Sequence, residues 1–348
     1  MTLTYEQLQQ MPKVELHLHL DGSILPATLI ELAAEQNMSL PTTDRSELRS
    51  FMTVPEQCED LNQYLSTFDF VLPFTQTTEA LERIAYEIVQ QCAEQNVRYV
   101  EVRFAPQLHV NKGLTVADTY RHVIAGLQRG EQQFGVVARC IGICLRGHSA
   151  EQNMEVIEEA AVFIGKGLVA VDLAGAEALY PPALYRNIFA RAEQLNLPIT
   201  IHAGEAGGAQ NIGVSVHELG ASRIGHGVRL QEDSHIFNDV NNLQIPLEFC
   251  PISNLQTKAI ESWEQYPLVQ YLNAGIIVTV NTDNLTVSNT NLTKELWTLQ
   301  QKLSLSVEQL LLLQYNAVHA VFLEKSVKDT FIEKMDAELC AWKMKTES

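Results

Sequence analysis

The chain has 348 residues, of which 46% are hydrophobic and 19% charged, and its formal net charge is −18 at pH 7. This composition is typical of a globular protein with a large core. The negative charge argues against nucleic-acid binding, because nucleic-acid binding requires a basic face that displaces counterions. No run of about eighteen apolar residues is present, so the sequence predicts no membrane-spanning helix and no membrane partner.

The start of the chain and its cysteines indicate a compartment. The first residues, MTLTYEQLQQMPKVE, have neither a basic start nor an apolar stretch, so they do not resemble a secretory signal. Six cysteines are scattered without a C-x-x-C pair, and most of them lie in apolar stretches. We interpret them as reduced thiols and expect a cytoplasmic protein. The sequence predicts no particular oligomeric state.

Eight strand-like runs follow one another along the chain. They are rich in Val, Ile and other apolar residues, and most end at or near Gly, Pro, Asn or Asp. The predicted strands cover residues 14–20, 98–105, 136–145, 168–173, 198–202, 223–226, 246–250 and 276–281. Helical patterns lie between most of them. The clearest covers residues 79–96, and another begins at Ser149, with Gln152 three residues later as in a capping box.

Strands that alternate with helices predict an α/β protein, a (β/α)8 TIM barrel in which residues 1–348 form a single domain. The alternative is an open doubly wound sheet. Its usual dinucleotide fingerprint is absent, because the glycines of segment 204–208 have the wrong spacing. An extra apolar helical region at 61–74 should supply additional helices over the C-terminal mouth, where inserted elements often cover a pocket.

The first predicted strand carries an alternating row of polar side chains. Because successive strand side chains point to opposite faces, Glu15, His17, His19 and Asp21 should point into the barrel. Two imidazoles two residues apart at the end of an inward face are placed to chelate one metal ion. The same pattern also fits two hydrogen-bonded histidines, so this motif alone leaves both interpretations open.

Further candidate ligands follow three other strands. His202 ends the fifth strand, His226 ends the sixth, and Asp283 follows the eighth. Because the C-terminal ends of barrel strands converge at the mouth that holds the active site, we expect these side chains to meet. Two small residues separate Glu205 from His202, so the chain can turn sharply and place Glu205 over the pocket. Alternatively, Glu205 is an acidic residue at a helix N-terminus.

Three imidazoles and one carboxylate match Zn²⁺, with one position left for water. Zinc lowers the pKa of that water from ~16 to roughly 7. Barrel metallohydrolases with two metals often carry a bridging lysine on strand four, and segment 168–173 contains none. We therefore expect one zinc ion per chain. A different zinc-deaminase signature, H-x-E followed by P-C-x-x-C, is absent.

Seven motifs resemble those of the adenosine deaminase family, in the same order and over nearly the whole chain. They are ELHLHLDG (15–22), VRYVEVRFAP (97–106), DLAGAE (172–177), HAGE (202–205), RIGHG (223–227), CPISN (250–254) and NTDN (281–284). Any one motif is weak evidence, but together they are highly specific. The resemblance implies zinc-dependent hydrolytic deamination of adenosine and 2′-deoxyadenosine to inosine and ammonia, in purine salvage or nucleoside catabolism.

The resemblance also assigns catalytic roles. It implies four zinc ligands, which are His17, His19, His202 and Asp283. Glu205 would protonate N1 of the purine and should therefore have a raised pKa. His226 would orient the zinc-bound water and assist its deprotonation. Together with zinc, His226 and Asp283 would stabilise the developing tetrahedral centre.

A second set of residues would bind the purine nucleoside, the small-molecule partner that the resemblance implies. The set is His19, Asp21, Gly175 and Asn284. Asp21 would contact the ribose 5′-hydroxyl, and the backbone N–H of Gly175 would donate to purine N3. Many family members have Asp at the position of Asn284, facing purine N7. An amide can still form a hydrogen bond there, although substrate preference could change.

Three alternatives remain open. A sibling deaminase could act on adenine, on an N6-substituted adenine nucleotide or on an adenosine-like biosynthetic intermediate. Asp21 favours a ribose hydroxyl, and the residues around it include no Lys or Arg for a 5′-phosphate. A non-catalytic binding protein should have lost a ligand or the acid. Cleavage of a cyclic amide or ester on the same barrel is disfavoured by the HAGE and DLAGAE motifs, through the resemblance alone.

Overall fold

Eight parallel strands form a barrel in the computed structural model, which describes residues 2–55 and 58–347. The strands are β1 (Lys13–His19), β2 (Val97–Phe104), β3 (Val137–Leu145), β4 (Leu168–Ala174), β5 (Thr200–Ala203), β6 (Arg223–His226), β7 (Leu247–Phe249) and β8 (Val278–Val280). They pair in chain order from β1 to β4 and from β5 to β8. Single bridges, Val171 with Ile199 and Leu18 with Asp283, close the ring. The predicted (β/α)8 barrel is confirmed.

Helices connect the strands and surround the barrel. In the described residues they are α1 (Tyr5–Gln10), α2 (Pro26–Glu35), α3 (Arg45–Met52), α4 (Leu61–Ser66), α5 (Thr78–Glu94), α6 (Val116–Phe134), α7 (Ala150–Phe163), α8 (Arg186–Gln194), α9 (Ala209–His217), α10 (Ser234–Leu243), α11 (Pro251–Gln256), α12 (Leu268–Asn273), α13 (Leu292–Leu303), α14 (Val307–Ala320) and α15 (Lys325–Glu347). None of these described helices is both long and apolar enough to cross a bilayer.

Local sequence signals explain where two of the helices begin. The hydroxyl of Thr77 accepts a hydrogen bond from the N–H of Ala80 and so caps α5, whose buried face repeats at helical spacing as predicted. The capping box predicted at Ser149 is present at the start of α7, with Gln152 as its reciprocal partner. Helix α5 ends at Glu94, two residues before the predicted end, and Asn96 has a φ of +59°.

The last two strands are shorter than the sequence pattern predicts. Segments 246–250 and 276–281 contain three-residue strands, β7 and β8. Beyond Val280 backbone bonds alternate with a side-chain bond: Oδ1 of Asn281 accepts a hydrogen bond from the N–H of Leu16 at 2.9 Å, and Asp283 exchanges backbone hydrogen bonds with His17 and His19. Strand β8 therefore joins β1 through a side chain and one bridge, which brings Asp283 next to the end of β1.

Segment 61–74 forms α4 followed by two short 3₁₀ turns, Thr67–Phe70 and Leu72–Phe74. Asp60 caps α4 by accepting a hydrogen bond from the N–H of Gln63. Several side chains of this segment line the cavity at the C-terminal mouth of the barrel. The predicted helical cover over the mouth is therefore present, as one short helix and two turns.

Candidate metal centre and substrate cavity

Three histidines and one aspartate bring their side-chain donor atoms together at the mouth. Nε2 of His19 lies 3.3 Å from Nε2 of His17 and 3.2 Å from Nε2 of His202. Oδ1 of Asp283 lies 3.5 Å from Nε2 of His17 and 3.2 Å from Nε2 of His19. Four ligands about 2.1 Å from a tetrahedral zinc ion are separated by roughly 3.4 Å. The donor set therefore has the chemistry and spacing of a zinc site.

His226 is an alternative to His19 as a metal ligand. Possible ligand atoms of His17, His202, His226 and Asp283 all lie within 4.8 Å of one another. Nδ1 of His226 faces Nδ2 of Asn254 at 2.9 Å. Oδ1 of the same amide accepts hydrogen bonds from Tyr266 and from the N–H of Cys250, so Nδ2 must be the donor. A neutral His226 then carries its proton on Nε2, which prevents metal binding there. This tautomer favours His19 over His226 as the candidate for the fourth donor.

Buried carboxylates fix the orientation of two of the ligands. Nδ1 of His17 lies 2.8 Å from Oε2 of Glu248, and Nδ1 of His202 lies 3.0 Å from Oδ2 of Asp172. Both imidazoles therefore present Nε2 to the metal centre. The guanidinium of Arg103 bridges the two carboxylates at 2.8 Å each. Burial alone would raise the pKa of Glu248, but Arg103 and Arg223 hold it well below its usual range.

Neutral histidines and an ionised aspartate are the forms that bind zinc. Burial lowers the pKa of His202 to about 4, so its ring is neutral at physiological pH. For Asp283, hydrogen bonds with His17 and His19 overcome the effect of burial and hold its pKa well below the ordinary value. The protonation states of His202 and Asp283 therefore suit a cation, whereas hydrogen bonds to Asp283 and Glu248 outweigh burial and raise the pKa of His17 when no metal is bound.

Glu205 lies beside the metal centre and is almost completely buried. Its Oε2 is 3.5 Å from Nε2 of His226. Burial, then the nearby charges of Asp283 and Glu177, raise the pKa of Glu205 well above its ordinary value. Burial also lowers the pKa of His226 well below the usual range. The pair is thus a protonated acid next to a neutral imidazole, which is an arrangement for donating a proton.

Two of these residues have a strained backbone. His226 and Asp283 have φ angles of +62° and +61°, in the left-handed region that non-glycine residues rarely occupy. His226 is the last residue of β6, and Asp283 lies three residues after the end of β8, so both belong to the turns that leave the strands at the mouth. Glycine at position 225 is explained by close packing, since a Cβ there would lie 3.1 Å from Cε1 of His17.

A cavity of about 360 Å³ opens above the metal centre. One wall is apolar and comes largely from segment 61–74, through Leu61, Leu65, Phe68 and Leu72. The opposite side carries the polar groups of the metal centre and Glu205. An apolar slot with a few fixed polar groups suits a flat heteroaromatic ligand of small size.

Comparison with known proteins agrees with this chemistry. The family model described as adenosine deaminase matches residues 12–338. An adenosine deaminase of Enterococcus faecalis is 42% identical over 331 residues, which cover 95% of this chain and 97% of that protein. The chain belongs to the adenosine deaminase family. It is accordingly an enzyme of the hydrolytic deaminase class.

Two solved structures of related deaminases also resemble this family member. The adenine deaminase of Arthrobacter aurescens is 26% identical, with a TM-score of 0.85, over 94% of this chain and 98% of that one. The N6-methyl-AMP deaminase of Arabidopsis thaliana is 26% identical, with a TM-score of 0.83, over 96% of this chain and 98% of that one. Both confirm the fold, and their names give adenine and N6-methyl-AMP as the compounds that they deaminate.

The adenosine deaminase family resemblance predicts three further residues at the substrate, and all of them line the cavity: Asp21, Gly175 and Asn284. Gly175 has a φ of +106°, which explains glycine in the turn after β4. Buried Oδ1 atoms of Asp21 and Asn284 have no hydrogen-bond partner within residues 2–55 and 58–347. Both atoms are covered by neighbouring protein atoms, with Nε2 of His109 3.1 Å from Oδ1 of Asp21 and Oδ1 of Asn284 packed against Gly22, so the substrate contacts of Asp21 and Asn284 stay predictions.

The sequence did not reveal several residues of this family member's cavity. His109 is buried, and its Nε2 lies 3.1 Å from Oδ1 of Asp21, with poor hydrogen-bond alignment. The hydroxyl of Tyr64 accepts a hydrogen bond from Nδ2 of Asn284 at 2.8 Å. Arg146 follows β3 directly, so the strand-end rule could have identified it. His109 and Tyr64 lie in irregular or short segments, for which sequence patterns give no side-chain direction.

Proposed function

We propose that this enzyme hydrolyses adenosine, and 2′-deoxyadenosine, to inosine and ammonia. The observation that carries the proposal is the clustering of four metal donors, with four donor–donor distances of 3.2–3.5 Å, beside the buried carboxyl of Glu205 in a cavity with an apolar wall. Water supplies the new oxygen at C6, and the 6-amino group leaves as ammonia. Relatives named adenosine deaminase, similar over almost the whole chain, support the same reaction.

We propose one Zn²⁺ per chain. His17, His19, His202 and Asp283 would hold it, and it would supply hydroxide near neutral pH by lowering the pKa of water to roughly 7. The buried carboxylates of Glu248 and Asp172, which contact Nδ1 of His17 and of His202, would keep the Nε2 atoms of these histidines directed at the ion.

In the proposed reaction Glu205 is the general acid. Attack at C6 ends the aromaticity of the ring, and negative charge that builds on N1 must be neutralised by a proton. A carboxyl group that stays protonated at neutral pH can give that proton. His226, with its proton on Nε2, would orient the attacking water through a hydrogen bond, and the charge of Asp283 would help to stabilise the tetrahedral centre. The remaining proton of the attacking water would pass to the amino group, which leaves as ammonia.

We propose that the remaining polar groups position the nucleoside. Asp21 and His19 would face the ribose 5′-hydroxyl, the N–H of Gly175 would donate to N3, and Asn284 would face N7. The apolar wall formed by segment 61–74 would cover the purine ring. Residues 1–348 would act as one domain, and six unpaired cysteines fit a reducing cytoplasm.

The alternative is a sibling substrate, either adenine or an N6-substituted adenine nucleotide. Similarity to the Arthrobacter and Arabidopsis deaminases keeps this alternative open. A 5′-phosphate needs a free cation, and Arg146 is the cationic side chain among the described residues that line the cavity. Its Nη1 and Nη2 donate to the carbonyls of Tyr180 and His202 at 2.6 Å each. An arginine held this way favours an unphosphorylated substrate.

The test is ammonia release by the zinc-loaded enzyme from adenosine, 2′-deoxyadenosine, adenine, AMP and N6-methyl-AMP. We expect the highest kcat/KM for the two nucleosides. Glu205→Gln, which cannot supply the acidic proton, should lower kcat by about 10²-fold or more. Near-normal activity of Glu205→Gln over the whole pH profile would refute the acid assignment, and a preference for AMP or adenine would refute the substrate.

A further inference from the structure

A buried carboxylate next to the cavity holds the turn that carries Glu205. Oε1 of Glu177 accepts hydrogen bonds from the N–H of Gly204 at 2.8 Å and from Nδ2 of Asn211 at 2.9 Å. Oε2 accepts from the N–H groups of residues 205–207 at 2.8–3.0 Å. Five donors therefore converge on one side chain that is 1% exposed.

The surrounding chain is shaped for this carboxylate. Gly204 has a φ of +69°, which turns successive N–H groups toward one side, as in an anion-binding nest. Gly207 has no room for a side chain, since a Cβ there would lie 2.6 Å from Oε1 of Glu177. Helix α9 begins next, and its N-cap residue, Gly208, forms no side-chain cap. Glu177 thus also supplies negative charge near a helix N-terminus.

The held turn determines where Glu205 lies. The N–H of Glu205 is itself one of the five donors, and its neighbours on both sides are bound to the same carboxylate. From this backbone the side chain of Glu205 extends into the cavity, with Oε2 3.5 Å from Nε2 of His226. A shift of the turn would therefore move the Glu205 carboxyl relative to a ring bound in the cavity.

We propose that Glu177 is a positioning residue for deamination: it fixes turn 204–207 so that the Glu205 carboxyl is held at hydrogen-bond distance from purine N1. This inference rests on the proposed function, in which Glu205 is the acid. A carboxylate is required because all five partners are donors. A glutamine would turn its NH2 group toward donors at one of the two oxygen positions.

The first test compares zinc-loaded variants by steady-state kinetics. Because misplacement by about 1 Å can reduce a rate about 10²-fold, Glu177→Gln should lower kcat by up to about 100-fold, with zinc content unchanged and KM altered by less than about threefold. Glu177→Asp keeps two acceptors on a shorter side chain and should show an intermediate kcat. The control is Glu131→Gln, since Glu131 accepts bonds from the Ala138 N–H and from Arg139 outside the barrel; its kcat should be unchanged.

A double-mutant cycle separates positioning from general stabilisation. If Glu177 acts through Glu205, Glu177→Gln should change kcat by less than about threefold once Glu205 is already Gln. Equal losses in both backgrounds would overturn the proposal, as would an unchanged kcat in folded, zinc-loaded Glu177→Gln. Full activity of Glu205→Gln alone would instead refute the acid assignment of the proposed function, so the two failures are distinguishable.

If Glu177→Gln does not fold, a milder variant can still test whether Glu177 positions Glu205. Asn211→Ala removes one of the five hydrogen bonds and leaves the carboxylate and its charge in place. We expect its kcat to fall by about threefold in the wild-type background and to stay unchanged in Glu205→Gln. The same loss in both backgrounds, or no loss in either, would overturn the proposal.

Discussion

Oδ2 of Asp283 accepts a hydrogen bond from Oγ of Ser253 at 2.6 Å. Oδ1, the other oxygen of the same carboxylate, faces the histidine ligands. Ser253 is fully buried at the start of α11, in the CPISN motif, so its hydroxyl holds the carboxylate from a rigid position. A hydrogen bond of this kind orients a metal ligand without contacting the metal.

Ser253→Ala should therefore weaken zinc binding. Loss of an outer-shell partner typically lowers metal affinity by about 10- to 100-fold, and we expect a loss near the lower end because Asp283 keeps its strained backbone position. Competition with a chromogenic chelator measures the zinc Kd directly. Ser222→Ala is the control, since Ser222 bonds to the carbonyl of Ile199 at the other end of the barrel. Equal zinc affinities of the two variants would contradict the role of Ser253.

Glu248 provides a second test of the metal centre, from the opposite side. Glu248→Gln can still bond to Nδ1 of His17 through its amide, but it removes the charge that Arg103 and Arg223 balance. Breaking a buried ion pair on one side leaves an uncompensated charge, which destabilises by about 3–5 kcal/mol. We expect a clearly lower Tm for the zinc-free variant and weaker zinc binding. If Tm and the zinc Kd are both unchanged, the contacts of Glu248 with Arg103, Arg223 and His17 do not support the metal centre.

The interpretation of Asn284 can be tested with a substrate that lacks N7. If Asn284 forms a hydrogen bond with N7, Asn284→Ala should lower kcat/KM for adenosine by about five- to tenfold, which corresponds to one bond of about 1 kcal/mol. For 7-deazaadenosine, which has carbon at that position, the same substitution should have little effect. Tyr64→Phe, which removes the hydroxyl that contacts the Asn284 amide and Oγ of Ser288, should give a smaller loss in the same direction. Equal losses of kcat/KM for both substrates would show that Asn284 does not form a hydrogen bond with N7.

Local patterns were enough to predict the barrel and most of its mouth. Alternation in β1 identified His17 and His19, and the rule that strand ends converge identified His202, His226 and Asp283. Each of these signals depends on the residue's own strand, so one sequence suffices. The lengths of β7 and β8 were overestimated. After β8 the side chain of Asn281 takes one of the hydrogen bonds that a backbone carbonyl would otherwise accept, and hydropathy does not reveal this.

The supporting shell could not be predicted in the same way. Arg103 lies inside β2 and Glu248 inside β7, and the pattern of each strand gives neither charge a partner. Their meaning comes from a 2.8 Å contact between residues 145 positions apart. Similarly, the DLAGAE motif was visible, but the five donors that converge on Glu177 come from another strand end. Sequence patterns thus predicted the groups that perform chemistry better than those that position them.

A buried acid away from the cavity makes stability depend on pH. Glu295 is fully buried on α13, where it accepts hydrogen bonds from the N–H of Ile252 and the hydroxyl of Thr290. Burial raises the pKa of Glu295 to about 8, from 4.5 for an ordinary glutamate. Between these two values the folded protein keeps a proton that the unfolded chain releases. The free energy of unfolding should therefore fall as pH rises through this window, by up to about 1.4 kcal/mol per pH unit from this group.

Glu295→Gln should remove that component, because an amide neither binds nor releases the proton. Urea unfolding of the zinc-loaded protein at several pH values measures the slope, and the variant's free energy of unfolding should fall less steeply between about pH 5 and 8. Glu15, whose pKa burial raises to about 7, contributes in the same direction in both proteins. Because the charge of Glu15 also raises the pKa of Glu295, the difference between the proteins measures Glu295 together with its interaction with Glu15. Glu155→Gln, at an exposed position of α7, is the matched control and should keep the wild-type slope. Parallel curves for wild type and Glu295→Gln would show that Glu295 is ionised in the folded protein at neutral pH.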